Sequence, residues 1–100
     1  MAEERAVTPF DALRRRIDDI DEQLVRLLSE RAECALAIGR EKKAAGVPIY
    51  QPNREAEVLD HVQRVNGGPL DDGAVRRLFE RIIDEARRLE RIAEEEDNGR

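Results

Sequence analysis

Apolar residues recur at spacings of three and four from Phe10 through Leu13, Ile17, Ile20 and Leu24 to Leu27, and the rhythm resumes at Ile38. No proline or turn cluster interrupts it, so this stretch reads as one long amphipathic helix. Thr8 is placed as its N-cap, Pro9 suits the first helical position, and Asp11 falls in the first turn. Gly46 and Pro48 end it. The helix so delimited has roughly 36 residues and a length of about 54 Å. A compact domain of 100 residues has a radius of gyration of only about 13 Å. The helix therefore overhangs any globule the chain could build alone, and its apolar stripe needs a cover. A second copy supplies one, which predicts a homodimer with the long helices paired.

The rest of the chain reads as two further helices. The segment GVPIYQPN is a short connection. A second helix starts near Pro52 and carries Val58, Val62 and Val65 as its seam. NGGP, from Asn66 to Pro69, is a strong break. A third helix starts at Asp71 or Asp72 and carries Val75, Leu78, Phe79, Ile82, Ile83, Ala86 and Leu89, then frays into the acidic EEEDNGR end. No strand alternation, internal repeat or glycine-rich phosphate loop is present. The expected fold is all-α, with three helices per chain, one very long, in an intertwined helical homodimer. The helical domain spans residues 8–95, with tails at 1–7 and 96–100.

Composition narrows the function. Charged residues make up 41% of the chain and the formal net charge is −5, which argues against a general affinity for nucleic acid or anionic membrane. The run Arg14–Arg16 does not change this, because three successive helix residues point in different directions and Asp18, Asp19 and Asp21 follow. Cys34 is the single cysteine, so there is no disulfide framework, and its stripe position reads as a small core residue. One His and one Cys do not make an ordinary structural zinc site, and His61 reads as a helix-surface residue. No apolar run reaches membrane-spanning length and MAEERAVTPF has no signal-peptide h-region. A soluble cytoplasmic protein is the expectation.

Charges that break the apolar pattern mark the candidate site. Steps of three and four beyond Leu27 land on Arg31, Cys34 and Ile38, and one more lands on Lys42. Two cations thus sit on the core-facing stripe, where an unpartnered charge is costly. Eleven residues of helix put them within about 20° of each other and roughly 16 Å apart along the axis. Their long side chains can converge on one small anion lying over Ile38. Alternatively, both cations reach out to solvent or pair with carboxylates of the second helix. Gly39 costs about 1 kcal/mol relative to alanine inside a helix, so a ligand or a close helix is expected to need its space. Glu55 lies three residues before Val58 and extends that seam, with Gln51 one turn earlier and Arg54 beside it. An ion pair between Glu55 and Lys42 is the structural alternative. On the third helix, the spacing from Val75, Phe79, Ile82 and Ala86 leads to Glu90, although Leu89 fits the stripe equally well.

These residues carry a family resemblance. The stretch FDALRRRIDDIDEQLVRLLSERAECALAIGREKKAAGVPIYQPNREAEVL resembles the all-helical chorismate mutases. The agreement lies in Arg14 within ALRxxIDxID, Arg31 ending LLSER, Lys42 ending IGxxK, and Arg54 and Glu55 in P-x-R-E. The third helix, LFERIIDEARRLE, is also similar, so the likeness spans about residues 8 to 93. It implies an isomerase of the shikimate pathway and aromatic amino-acid biosynthesis that converts chorismate to prephenate by a Claisen rearrangement. No cofactor is required. It also implies two equivalent sites per dimer, each using an arginine from the partner's first helix. Geometry agrees, since Arg14 lies about 25 Å along the helix from Arg31, too far to share a small ligand within one chain.

The resemblance assigns roles residue by residue. Arg14 from the partner chain and Arg31 would bind the substrate carboxylates. Lys42 would bridge a carboxylate and the ether oxygen, Glu55 would accept from the ring hydroxyl, and Arg54 would support the same wall. Ile38 would be apolar lining, and Glu90 would donate to the ether oxygen. Three positions depart from a common bacterial pattern. Gln51 stands where aspartate is frequent, Ala86 where serine is, and Glu90 where glutamine is. Glu90 must carry a proton to donate. Two alternatives remain at this level: an isochorismate pyruvate-lyase of the same fold, and a non-catalytic dimerisation or regulatory module partnering another shikimate-pathway enzyme.

Overall fold

The computed structural model describes residues 8–48 and 50–99; the expected tail at residues 1–7, and Arg100 of the expected C-terminal tail, lie outside them. Three helices make up the described chain: α1 over Pro9–Ala45, α2 over Pro52–Val65 and α3 over Asp72–Asn98. No strand occurs among the described residues. No described helix is long and apolar enough to cross a membrane.

Local chemistry sets the ends of α1. The Thr8 hydroxyl accepts from Asp11 N–H at 3.2 Å, while Asp11 Oδ2 accepts from Thr8 N–H at 3.1 Å. This reciprocal pair satisfies two donors that the first turn leaves open. At the other end Gly46 takes φ +73°, a conformation that costs glycine nothing sterically. Val47 N–H then reaches Lys42 C=O at 2.8 Å and Gly46 N–H reaches Lys43 C=O at 3.2 Å, the Schellman closure of a helix C-terminus.

The chain divides into two compact units, one ending at Glu33 and the other starting at Cys34, with the division inside α1. The described part of the first unit is a helix with an open apolar stripe: Phe10 is 72% exposed, Leu24 50% and Leu27 60%. Such a run of apolar surface is unusual for a chain that works alone.

In the second unit α2 packs on α3, and among the described residues the buried core is Leu59, Val62 and Val75. This corrects the expected seam of α2. Val65 is 65% exposed, and Leu59, one residue after the half-buried Val58, takes the inner place. Leu59 and Val62 are one helical step of three apart and share the face that meets Val75, whereas Val65 ends the helix beyond the contact. Cys34 is exposed rather than a small core residue, so its stripe is uncovered there within one chain. His61 is on the surface as expected.

The connection into α3 is held by side chains. Asn66 Nδ2 donates to Leu70 C=O at 2.8 Å and to Asp72 Oδ1 at 3.0 Å. Asp71 caps α3 by accepting from Ala74 N–H at 2.7 Å. At its far end α3 continues through the acidic segment to Asn98, past the point where fraying was expected. Lys43 Nζ donates to Asn98 Oδ1 at 2.9 Å, a tertiary contact that no local propensity reveals.

Candidate active site

Glu90 decides which residue of α3 continues the inner stripe. It is half-buried, whereas Leu89 is 36% exposed, so the carboxylate and not the leucine turns toward the neighbouring helix. Its side chain lies against Gly39 of α1. A methyl group added at Gly39 would sit 3.5 Å from Glu90 Oε2 and 3.6 Å from Cγ. The space expected over Gly39 is thus occupied by a carboxyl group at ordinary van der Waals distance.

Burial holds the proton on Glu90 above the usual carboxylate range, and the Lys42 and Arg87 cations pull the other way without cancelling it. The competition between desolvation and cations, which the sequence leaves open, goes to desolvation. The same balance puts Lys42 of α1, itself half-buried, and Arg87 of α3 within electrostatic reach of Glu90.

Glu55 of α2 is tied to Arg87. Arg87 Nη2 donates to Glu55 Oε2 at 2.5 Å, and both side chains are little more than a quarter exposed. The guanidinium carbon also lies 4.9 Å from the centroid of the Tyr50 ring, within cation–π range, and Nη2 is 3.7 Å from Asp84. Sequence reasoning missed Arg87, although a signal was present. It follows Ile83 by four residues and precedes Glu90 by three, so it is a cation on an apolar stripe in the same sense as Arg31.

Other expected residues are placed less centrally. Gln51 is half-buried at the N-cap of α2 without a side-chain cap bond, and its carbonyl accepts from Arg54 N–H and Glu55 N–H. Ala86 is half-buried on α3. Ile38 is 53% exposed. Arg54 points to solvent, 69% exposed, with Glu57 at 3.7 Å, so it does not join the Glu55–Arg87 group. Arg14 and Arg31 belong to the first unit; Arg14 is exposed and Arg31 half-buried. A cavity of about 180 Å³ lies between Leu36, Gly39 and Lys43 on α1 and Glu90, Ala93 and Glu94 on α3. Neither Lys42 nor Glu55 lines it. Among the described residues no cluster of three or more His, Cys, Asp or Glu is placed to hold a metal ion.

Chemically, the second unit therefore gathers two cations, a carboxylate acceptor tied to one of them, and a half-buried carboxyl group whose pKa is raised by desolvation. Residues 13–91, which include all four of these positions, match the family model of chorismate mutase type II. The chain belongs to the chorismate mutase type II family.

Similar proteins agree with that assignment. The bifunctional chorismate mutase/prephenate dehydratase of Pseudomonas aeruginosa is 45% identical over 84 residues, covering 79% of this chain and 23% of that protein. The chain thus spans less than a quarter of the length of such bifunctional relatives. The 4-amino-4-deoxychorismate mutase of Streptomyces pristinaespiralis is 37% identical over 86 residues, covering 85% of this chain and 67% of that protein. Among solved structures, the Form II chorismate mutase from Thermus thermophilus superposes with a TM-score of 0.82 at 37% identity. It covers 84% of this chain and 96% of that one. The all-α fold of the chorismate mutase family is therefore the fold of this chain.

Proposed function

We propose that this chain rearranges chorismate to prephenate, an intramolecular isomerisation, and that it does so as a homodimer. The observation that carries the reading is the match of residues 13–91 to the chorismate mutase type II family, within which a half-buried Glu90, its pKa raised by desolvation, lies beside the Lys42 cation.

The reaction asks the protein to hold two carboxylates, fold the substrate into a near-attack conformer, and stabilise negative charge growing on the ether oxygen. Lys42 binds one carboxylate and donates to the ether oxygen. Glu90, protonated, gives that oxygen a second hydrogen bond. Glu55, oriented by Arg87, accepts from the ring hydroxyl. Arg31 binds a carboxylate, and Arg14 reaches the site from the partner. Arg54, exposed in a single chain, turns toward the substrate when the site is filled. Ile38, Gln51 and Ala86 complete the walls.

Dimerisation is supported by the exposed stripe of the first unit, where Phe10, Leu13, Ile17, Ile20, Leu24 and Leu27 are each at least 42% exposed. At about 25 cal/mol per Å² of apolar surface removed from water, covering such a stripe is a strong drive to association.

Incubating the purified protein with chorismate tests the reading, with prephenate formation followed directly. Salicylate and pyruvate from isochorismate, with no prephenate from chorismate, would assign the lyase reaction instead. Inertness toward both would leave the chain as a non-catalytic module.

A further inference from the structure

We infer that Arg87 is a positioning residue that orients Glu55 and makes it an acceptor for a neutral hydroxyl of the substrate in preference to a cationic amine. The inference rests on the proposed mutase reaction and deepens it by naming the substrate class that the pocket selects.

Arg87 is held on several sides. Its Nη2 is 2.5 Å from Glu55 Oε2 and 3.7 Å from Asp84 Oδ1, and its guanidinium carbon is 4.9 Å from the Tyr50 ring centroid. Tyr50 directly precedes Gln51, the N-cap of α2. One planar cation on α3 therefore touches both the residue before the N-cap of α2 and the carboxylate in its first turn. A charge-assisted bond of this kind is short and directional, and a stacked planar guanidinium holds its orientation better than a freely rotating ammonium on a flexible stem would.

The consequence for selectivity is electrostatic. A carboxylate has acceptor sites on both oxygens, so the bond from Arg87 to Oε2 leaves Glu55 able to accept from a substrate donor. A hydroxyl donor carries no charge and meets only the dipole of the acceptor. An amine is protonated at neutral pH, and bound to the same carboxylate it would face a guanidinium a few ångströms away across a half-buried site, where like charges repel strongly. Arg87 has already neutralised the charge that would have attracted it.

The test compares chorismate with 4-amino-4-deoxychorismate, in which an amine replaces the ring hydroxyl, on the wild-type protein, Arg87→Leu, Arg87→Lys and Glu55→Gln. Arg87→Leu should lower kcat/KM for chorismate by about ten- to a hundredfold, the range expected for losing a hydrogen bond to a charged group. The amine should lose less or gain, so the chorismate-to-amine ratio should fall about tenfold or more. Arg87→Lys keeps the charge and should hold the ratio near the wild-type value while recovering only part of the rate. In the Glu55→Gln background, Arg87→Leu should change the ratio little further, because the two act as a unit. Arg87 also bears on Glu90, but that influence is common to both substrates and cancels in the ratio. An equal loss for both substrates in a folded Arg87→Leu protein would reduce Arg87 to a structural role and overturn the inference alone. So would an undiminished effect of Arg87→Leu in the Glu55→Gln background. Should Arg87→Leu not fold, a wild-type rate and ratio in Arg87→Lys would support charge alone and overturn the positioning role. A wild-type protein that converts neither substrate would instead remove the proposed function itself, and this inference with it.

Discussion

Glu90 rests against Gly39, with Oε2 3.5 Å from where a β-carbon on that glycine would lie. Gly39 does not have positive φ, since among the described residues only Gly46 does. The contact is an ordinary one, so an alanine fits without displacing the carboxyl group. Gly39→Ala should therefore stabilise the protein by about 0.5–1 kcal/mol through helix propensity and reduced unfolded-state entropy. Chemical denaturation of the two proteins checks it. Gly39→Leu, too large for the gap, should push Glu90 aside and lower activity.

The raised pKa of Glu90 sets a pH dependence of both rate and stability. The protonated form donates to the ether oxygen, so activity should be high at low pH and fall as pH rises through the pKa in the substrate complex. Stability has the same sign. A group whose folded pKa lies above its ordinary value of 4.5 contributes stability that is fully present below that value and is lost as pH rises through the folded pKa. Glu90→Gln retains a donor without titrating. It should flatten the alkaline fall and raise activity near neutral pH, and an unchanged pH–rate profile would take Glu90 out of the site.

Self-association should be obligate. Leu24 and Leu27 are half or more exposed in a single chain, and sedimentation of the protein at micromolar concentration should show a dimer. Leu24→Glu should shift it toward monomer and abolish activity in parallel. A folded, active monomer would end the dimer reading.

Sharing of the site between chains has its own signature. Arg14→Ala and Lys42→Ala should each lose about a hundredfold or more in kcat, the magnitude seen when one electrostatic donor to a developing charge is removed. Mixed and refolded together, they should form heterodimers with one intact and one doubly damaged site. Activity should rise toward half that of the wild type per heterodimer. Confirmed heterodimers without that recovery would show that Arg14 acts within its own chain.

Transition-state analogues offer a check independent of turnover. A dianionic analogue at saturating concentration should raise the melting temperature by preferential binding to the folded dimer, and the gain should shrink with added salt. Lys42→Ala should reduce it.

What the sequence determined by itself is what depends on a few neighbouring residues. Thr8 and Asp11 close one end of α1, Gly46 opens the other, and Asp71 starts α3, because capping needs donors and acceptors only three or four residues apart. The pattern breaks at Lys42, Glu55 and Glu90 were legible for the same reason: helical spacing tells which residues share a face. It does not tell what that face meets. Leu89 and Glu90 are separated by 100° on α3, and both fit the stripe, so only the approach of α1 at Gly39 decided that the carboxyl group turns inward. Leu59 in place of Val65, and the run of α3 on to Asn98, were decided by where α2 and α1 come to lie beside α3. The Glu55–Arg87 pair joins residues 32 positions apart, through two flexible side chains whose meeting point depends on the packing of α2 against α3. Tertiary structure alone could also set the direction in which the pKa of Glu90 moves. Desolvation and the two nearby cations act in opposite directions, and their balance is a matter of distances and burial that no spacing encodes.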